Sequence, residues 1–311
     1  MFFAPRRSQE DRIADFRSRS TGPSLSLLAV VIATALHVPS VSAADAAKKE
    51  DSMVVTAATD DNSNTQDTDY NVPVTRASTG LALTARDTPQ SVSVITKQRM
   101  QDQKLNTLND VLKNTTGISE FNSGANRSNF YSRGFMIDNY QIDGVPTLID
   151  SQWNIGDTLS DTAIYDRVEI VRGATGLMTG AGSPAASINM IRKRADSKEF
   201  VGNVSASYGS WDNQRYVMDL SAPLTESGNV RGRMVAGYQD GDSWLDHYHT
   251  RKKFFYGVVD ADLTDSTTLS LGYDYQETNI SGATWGGLPT YYLDGSKTNY
   301  DRSTNLAPDW A

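Results

Sequence analysis

The chain has 311 residues, with 29 Lys and Arg against 37 Asp and Glu, a formal charge of −8, no Cys, and 14 Tyr, 9 Phe and 5 Trp. The acidic balance argues against a nucleic-acid binder, which would carry a basic face, and the absence of Cys excludes disulfides, thiolate nucleophiles and Cys-based zinc sites. The length suggests two domains with ample material for a core, and three His, at 37, 247 and 249, leave little for a triad or a His-rich metal site.

At the N-terminus Arg6, Arg7, Arg12, Arg17 and Arg19 precede an apolar run from Leu25 to Leu36, and Val41-Ser42-Ala43 puts small residues at −3 and −1 of a cut after Ala43. This is the pattern of a secretory signal peptide, residues 1–43, since a membrane-spanning helix needs ~20 apolar residues. Removing it takes away five Arg and three acids, which leaves an acidic, exported chain of charge −10. No later stretch is apolar enough for a spanning helix, so a membrane role must use strands.

Residues 44–71 read as a disordered leader, because Thr-Asp-Asp-Asn-Ser-Asn-Thr-Gln-Asp-Thr-Asp at 59–69 is too polar to bury anything. It holds one apolar strip, Met53-Val54-Val55-Thr56-Ala57. Two readings of the strip are open: a strand added to a partner's sheet edge, or a segment packed on its own domain.

From 72 to 194 the pattern is mixed α and β. Ser91-Val92-Ser93-Val94-Ile95 predicts a strand, and Leu105, Leu108, Val111 and Leu112 mark a helical face that stops at Gly117, a residue suited to a helix C-terminus. Tyr140-Gln141-Ile142-Asp143-Gly144-Val145 contains a hairpin-type Asp-Gly. Val168-Glu169-Ile170-Val171 predicts a strand opening into a run with glycines at 173, 176, 180 and 182. That run is no phosphate loop: it does not follow its strand directly as a dinucleotide fingerprint would, and it has no Walker Lys-Ser/Thr pair.

From about 200 onward the texture is alternating strands, expected at 200–208, 214–221, 230–239, 253–263 and 268–278. In Leu269-Ser270-Leu271-Gly272-Tyr273-Asp274-Tyr275-Gln276 the odd positions are apolar and the even ones small or polar, so one face suits lipid and the other a wet lumen. Short connections at 208–213, 222–229 and 264–267 contrast with a loop at 240–252 and a long aromatic segment from 279, the habit of an outer-membrane barrel. A soluble β-sandwich would alternate in the same way, and the strands alone leave both open.

The order of leader, Met-Val-Val-Thr-Ala strip, acidic linker, small α/β domain and strand array resembles a TonB-dependent outer-membrane receptor. The specific strings are Pro89-Gln90-Ser91-Val92-Ser93-Val94, Tyr131-Ser132-Arg133-Gly134-Phe135, Ile142-Asp143-Gly144-Val145-Pro146 and Val168-Glu169-Ile170-Val171-Arg172-Gly173, with Ile188-Asn189-Met190 behind. Ser243-Trp244-Leu245-Asp246, Thr284-Trp285-Gly286-Gly287-Leu288-Pro289 and Ala307-Pro308-Asp309-Trp310 are similar to the branch that takes up ferric coprogen and ferric rhodotorulic acid.

The resemblance implies an α+β plug domain (72–194) followed by the first five strands (195–311) of a transmembrane antiparallel β-barrel that closes with 22 strands, this chain being its N-terminal part. It implies a Gram-negative outer-membrane receptor, not an enzyme, that captures a ferric hydroxamate siderophore of coprogen, rhodotorulic acid or ferrioxamine type. The alternatives are another iron chelate or haem, or an inactive fragment. The implied partners are TonB with its inner-membrane energising complex, gripping the TonB box at Met53, Val54, Val55, Thr56 and Ala57, then outer-membrane lipid, and colicins or phage. No nucleic acid is expected, and with only about nine residues, Ala44 to Ser52, before the box, no transcription-signalling role is expected either. The siderophore fills iron's coordination sphere with its own oxygens, so no cofactor and no protein–iron bond are needed. Ligand contacts are expected from Arg127, Gln152 and Trp153 on the plug apices (122–129, 138–140 and 148–154) and from Trp285, Tyr291 and Tyr292 on the long outer segment. Gln152 departs from the branch, which carries a basic residue there. Arg133, Glu169, Arg172 and Arg192 are expected as plug and wall ion pairs, and His247 and His249 as solvated loop residues.

Overall fold

The computed structural model describes residues 65, 70–75, 77, 83–84, 86–124, 127–149, 160–173 and 184–308. The expected signal peptide, the strip 53–57, nearly all of the leader, Gln152, Trp153 and the glycine run beyond Gly173 lie outside the described residues.

The first sheet gathers β1 (Ser91–Thr96), β5 (Asn139–Ile142), β6 (Val145–Thr147), β7 (Tyr165–Arg172) and β8 (Ala186–Arg192) in the order β1-β7-β8-β5-β6. β5 runs parallel to β8 and the other pairs are antiparallel. β7 is an interior strand, buried almost throughout, so Val168 and Ile170 meet α1 (Lys97–Asp102) and α2 (Leu108–Lys113) in one core with Ile95, Ile164, Ile188 and Met190. α2 forms where expected because its apolar face is at helical spacing and Thr107 caps it. Asp110 N–H donates to Thr107 Oγ1 at 3.1 Å and Thr107 N–H donates to Asp110 Oδ2 at 3.0 Å, satisfying otherwise orphan donors. The helix ends earlier than expected, at Lys113 with Asn114 as cap; Gly117, at φ +79°, closes the turn that follows. Asp143 and Gly144 both sit at positive φ (51° and 79°), which makes the β5–β6 connection the primed turn that Asp-Gly predicts.

A small second sheet, β2 (Ser119–Asn122), β3 (Ser128–Ser132) and β4 (Phe135–Met136), carries one apex of the plug. Beneath the first sheet runs a buried polar chain. Arg167 Nε donates to Glu169 Oε1 at 2.9 Å, Arg167 Nη1 donates to Asp166 Oδ2 at 3.1 Å, and Asp166 Oδ1 accepts from the Thr65 amide and hydroxyl at 2.9 and 3.0 Å.

The third sheet is an antiparallel meander of β9 (Val201–Tyr208), β10 (Gln214–Pro223), β11 (Val230–Asp242), β12 (His249–Thr264) and β13 (Thr267–Ser281). Its two faces separate as the alternation predicts. Lys252, Phe254, Tyr256, Val258 and Asp260 of β12 point to the plug and are buried, while Phe255, Val259, Leu269, Leu271, Tyr273 and Tyr275 form the outer face. The last strands are longer than expected because they run past the ~9–11 residues a tilted span requires. The expected loop 240–252 shrinks to 243–248, and His249 begins β12 with its Nδ1 2.8 Å from Asp242 Oδ1. Among the described residues no helix is long and apolar enough to cross a membrane.

This outer face makes a sharp prediction. Leu271 is 66 % exposed on the outer row, and Leu271→Arg will cost ~2–4 kcal/mol of folding stability in bilayers, the expense of a cation on the lipid side of a barrel strand. Urea titration of membrane-folded protein reads it, and a cost near zero would show that this face does not meet lipid.

Candidate functional site

The plug meets the wall through a seam of buried charge. Asp161, fully buried, accepts a two-pronged pair from Arg215 of β10, Nη1 to Oδ2 at 2.7 Å and Nη2 to Oδ1 at 2.8 Å. Lys252 Nζ of β12 lies 3.7 Å from the same carboxylate, and the Asp161 amide donates to Gln276 Oε1 of β13 at 2.7 Å. Further along, Lys193 Nζ donates to Asp219 Oδ2 at 2.8 Å, a carboxylate also forked by Arg233. Burial pushes the Lys193 ammonium below its ordinary value while Asp219 pulls it back up. The Ala195 amide donates to Asp260 Oδ2 at 2.8 Å, and the Tyr256 hydroxyl donates to the Lys193 carbonyl at 2.7 Å.

Of the residues expected in plug and wall ion pairs, Glu169 and Arg192 do form ion pairs, inside the plug. Glu169 pairs with Arg167, Arg192 pairs with Asp143 at 2.7 Å, and Arg172 donates to Ser91 and Ser93, all within the plug. Arg192 alone of that set reaches the wall, its guanidinium 5.9 Å from the Tyr256 ring centroid.

At the end of the sheet that carries the longest connection, residues 282–308 fold back over the plug apex. The Gly286 amide donates to the Ser123 carbonyl at 3.0 Å, and Gly124 forms an isolated antiparallel bridge with Trp285. A Cβ on Gly124 would stand 2.7 Å from the Thr284 carbonyl oxygen, and its φ is +152°, so only glycine fits this approach. The Ser123 amide closes a turn onto the Arg127 carbonyl at 2.9 Å, which aims Arg127 at the bridge. Its guanidinium stacks 3.4 Å from the Trp285 ring centroid, a cation–aromatic contact of ~0.5–2 kcal/mol. Between this pair and the 243–248 loop opens a cleft of about 1070 Å³.

Of the sequence-expected ligand residues the structure brings together Arg127 and Trp285, both lining the cleft. Tyr291 and Tyr292 sit apart from it on an exposed hairpin, 62 % and 55 % accessible, closed by the Tyr292 amide donating to the Ser296 carbonyl at 2.8 Å. Gln152 and Trp153 lie outside the described residues. The expected apex at 138–140 is not one: Asn139 and Tyr140 belong to β5, and Tyr140 is buried. Two cleft residues escaped the sequence reading, Trp244 and Arg302, with the guanidinium 6.0 Å from the indole centroid. Among the described residues no group of three or more His, Asp or Glu is placed to hold a metal.

Comparison with known proteins agrees with this architecture. Residues 84–187 match the TonB-dependent Receptor Plug Domain family. The ferripyoverdine receptor of Pseudomonas aeruginosa is 47% identical over 250 residues, 79% of this chain and 31% of the relative. The crystal structure of the ferripyoverdine receptor of the outer membrane of Pseudomonas aeruginosa bound to ferripyoverdine superposes with a TM-score of 0.75 at 46% identity, covering 78% of this chain and 33% of that one. The FpvAI–pyocin S2 complex gives a TM-score of 0.75 at 45% identity, covering 80% and 34%.

The chain thus carries a TonB-dependent receptor plug domain followed by the first strands of a barrel, the arrangement of the outer-membrane siderophore receptors it is similar to. It spans about a third of the length of the curated relatives it matches. The Pseudomonas aeruginosa receptor and its crystal structure carry ferripyoverdine, not coprogen or rhodotorulic acid, in their descriptions, so they do not bear out the hydroxamate branch that the strings at 243–246, 284–289 and 307–310 resemble.

Proposed function

We propose that this chain supplies the plug and first wall of a receptor that binds a ferric siderophore at the outer surface and imports it into the periplasm. The observation that carries the reading is the cleft in which plug apex and long loop close over the stacked Arg127 and Trp285, in a fold shared with a receptor solved with its ferric siderophore bound. In this reading the leader is residues 44–71, the plug 72–194 and the wall 195–311. Gln152 and Trp153 join Arg127 and Trp285 around the ligand, and Tyr291 and Tyr292 are the outermost contacts. The relatives favour a pyoverdine-type siderophore, and the hydroxamates coprogen, rhodotorulic acid and ferrioxamine stand second on the strings that resemble their receptors. Iron enters already wrapped in the siderophore's oxygens, so aromatic walls and a few donors suffice and no protein–iron bond forms.

Energy comes from a TonB-type partner and its inner-membrane complex, which adds the strip Met53 to Ala57 as a strand and pulls. That mode uses the backbone N–H and C=O groups of alternate residues along the strip and requires the strip to stay extended and free of proline. A related receptor solved with pyocin S2 makes a bacteriocin a further candidate partner.

The test is growth of an iron-starved, receptor-deficient strain carrying the gene at its native locus, fed separately with ferric pyoverdines, coprogen, rhodotorulic acid, ferrioxamine and haem. We expect growth on one siderophore class and none once Val55→Pro removes an N–H from the added strand. Growth on haem alone, or growth indifferent to Val55→Pro, would sink the proposal.

A further inference from the structure

The cleft has an electrostatic character opposite to that of the chain. Acids outnumber bases 37 to 29 over the sequence, yet the described residues that line the cleft include Arg127 and Arg302 and no Asp or Glu. Each guanidinium faces an indole, at 3.4 Å for Arg127 with Trp285 and 6.0 Å for Arg302 with Trp244. The pairs draw on three separate stretches, the plug apex, the 243–248 loop and the 282–308 segment. The last two are tied together: the Asp246 amide donates to the Ser303 carbonyl at 2.8 Å, the Ser303 hydroxyl donates to Asp246 Oδ2 at 3.1 Å, and the Asn305 amide group donates to the Asp246 and Gly282 carbonyls. Arg302 is therefore held beside Trp244 by a braced loop base; of the nearby acids, Asp246 is engaged in the brace and Asp301 precedes Arg302 in the chain without lining the cleft.

Resting on the siderophore-receptor reading, we infer that this cleft selects ferric chelates by charge, favouring net-anionic complexes with flat conjugated surface over neutral or cationic ones of similar size. Three hydroxamates just cancel the charge of ferric iron, whereas catecholate or hydroxycarboxylate donors leave the complex negative. Guanidinium groups, Arg127 buried and Arg302 exposed, reward that residual charge through charge-assisted hydrogen bonds, and beside indoles they present a planar slot that suits conjugated rings. A lining without acids among the described residues also spares an anion the repulsion that the rest of this acidic chain would impose.

The test is equilibrium binding to outer membranes from cells expressing the gene at its native locus, with three probes: an anionic ferric tris-catecholate, neutral ferric coprogen and cationic ferrioxamine B. We expect the anionic chelate to bind about tenfold or more tighter than the other two, with the advantage shrinking as salt rises. Arg302→Gln reduces the ratio of anionic to neutral affinity by about tenfold, Arg302→Lys restores part of it, and Arg302→Glu reverses the order. Heat-modifiable migration of each variant reports that the barrel is intact. If the three probes bind alike, or if Arg302→Glu leaves their order unchanged, charge selection is wrong and the receptor reading stands. A ferric pyoverdine is run as a fourth probe: if it alone binds, charge is not what the cleft selects and the inference falls, and if the wild type binds none of the four, the receptor reading itself fails and takes this inference with it.

Discussion

Replacing Asp161 with alanine will weaken the hold of the plug on the wall by about 3–5 kcal/mol, the cost of stranding buried charge when one partner of a pair is removed. The carboxylate is fully buried and is forked by Arg215 at 2.7 and 2.8 Å, with Lys252 3.7 Å away. Alanine leaves the Arg215 guanidinium and the Lys252 ammonium facing each other without their shared counter-charge. It also removes the acceptor of the Ala163 amide, which Asp161 Oδ1 caps at 3.0 Å, so the short helical turn at Thr162–Ile164 loses its start. Urea-dependent protection of the plug against protease reads the effect in the membrane-folded receptor. Asp161→Ala combined with Arg215→Met should recover part of the loss, because the double change removes the strongest unpaired cation together with its partner. A single-variant cost below ~1 kcal/mol would mean that water fills the seam and that the pair contributes little.

Gly124→Ala should weaken siderophore binding by about tenfold while the barrel still assembles, through loss of a bridge hydrogen bond and of the cation–aromatic stack. The added methyl has no room: it meets the Thr284 carbonyl at 2.7 Å and the Gly286 amide nitrogen at 2.9 Å, at a φ of +152° that alanine rarely adopts. The long segment must lift from the apex, and Trp285 then leaves Arg127. Trp fluorescence titration separates the two halves of the claim, since the free protein shows a changed indole environment and the titration gives the affinity. Wild-type affinity in Gly124→Ala would show that the apex bridge does not shape the ligand site.

The sequence made some of this plain and left other parts dark for physical reasons. Period-two alternation in β13 told inside from outside, because a strand has only two faces and lipid and lumen demand opposite residues. Asp143-Gly144 announced its turn because few residues tolerate two consecutive positive φ values. Alternation cannot say which inward charge meets which plug carboxylate, so the Arg215–Asp161 and Lys193–Asp219 pairs, joining residues far apart in the chain, were invisible while locally conspicuous charges such as Arg172 and Arg192 drew attention. The cleft was half legible. Arg127 and Trp285 stood out as a charge and an aromatic in loops, but the pairing of Arg302 with Trp244 depends on how a long connection folds back, which no local pattern encodes. For the same reason Tyr291 and Tyr292, aromatic and on the right loop, went to a hairpin outside the cleft.

The joint between plug and wall has two textures with different mechanical meaning. Around Asp161 and Asp219 the contacts are charged groups that solvent can also satisfy, whereas Phe254, Val258 and Val235 form an apolar patch that solvent cannot. A plug pulled along the wall can exchange ionic partners for water one at a time, but exposing the apolar patch costs ~25 cal/mol for every Å² uncovered. The buried ionic stretches therefore act as latches that let go only as water reaches them and the greasy patch as a brake, so the force needed to shift the plug is set by a handful of side chains on β10, β11 and β12.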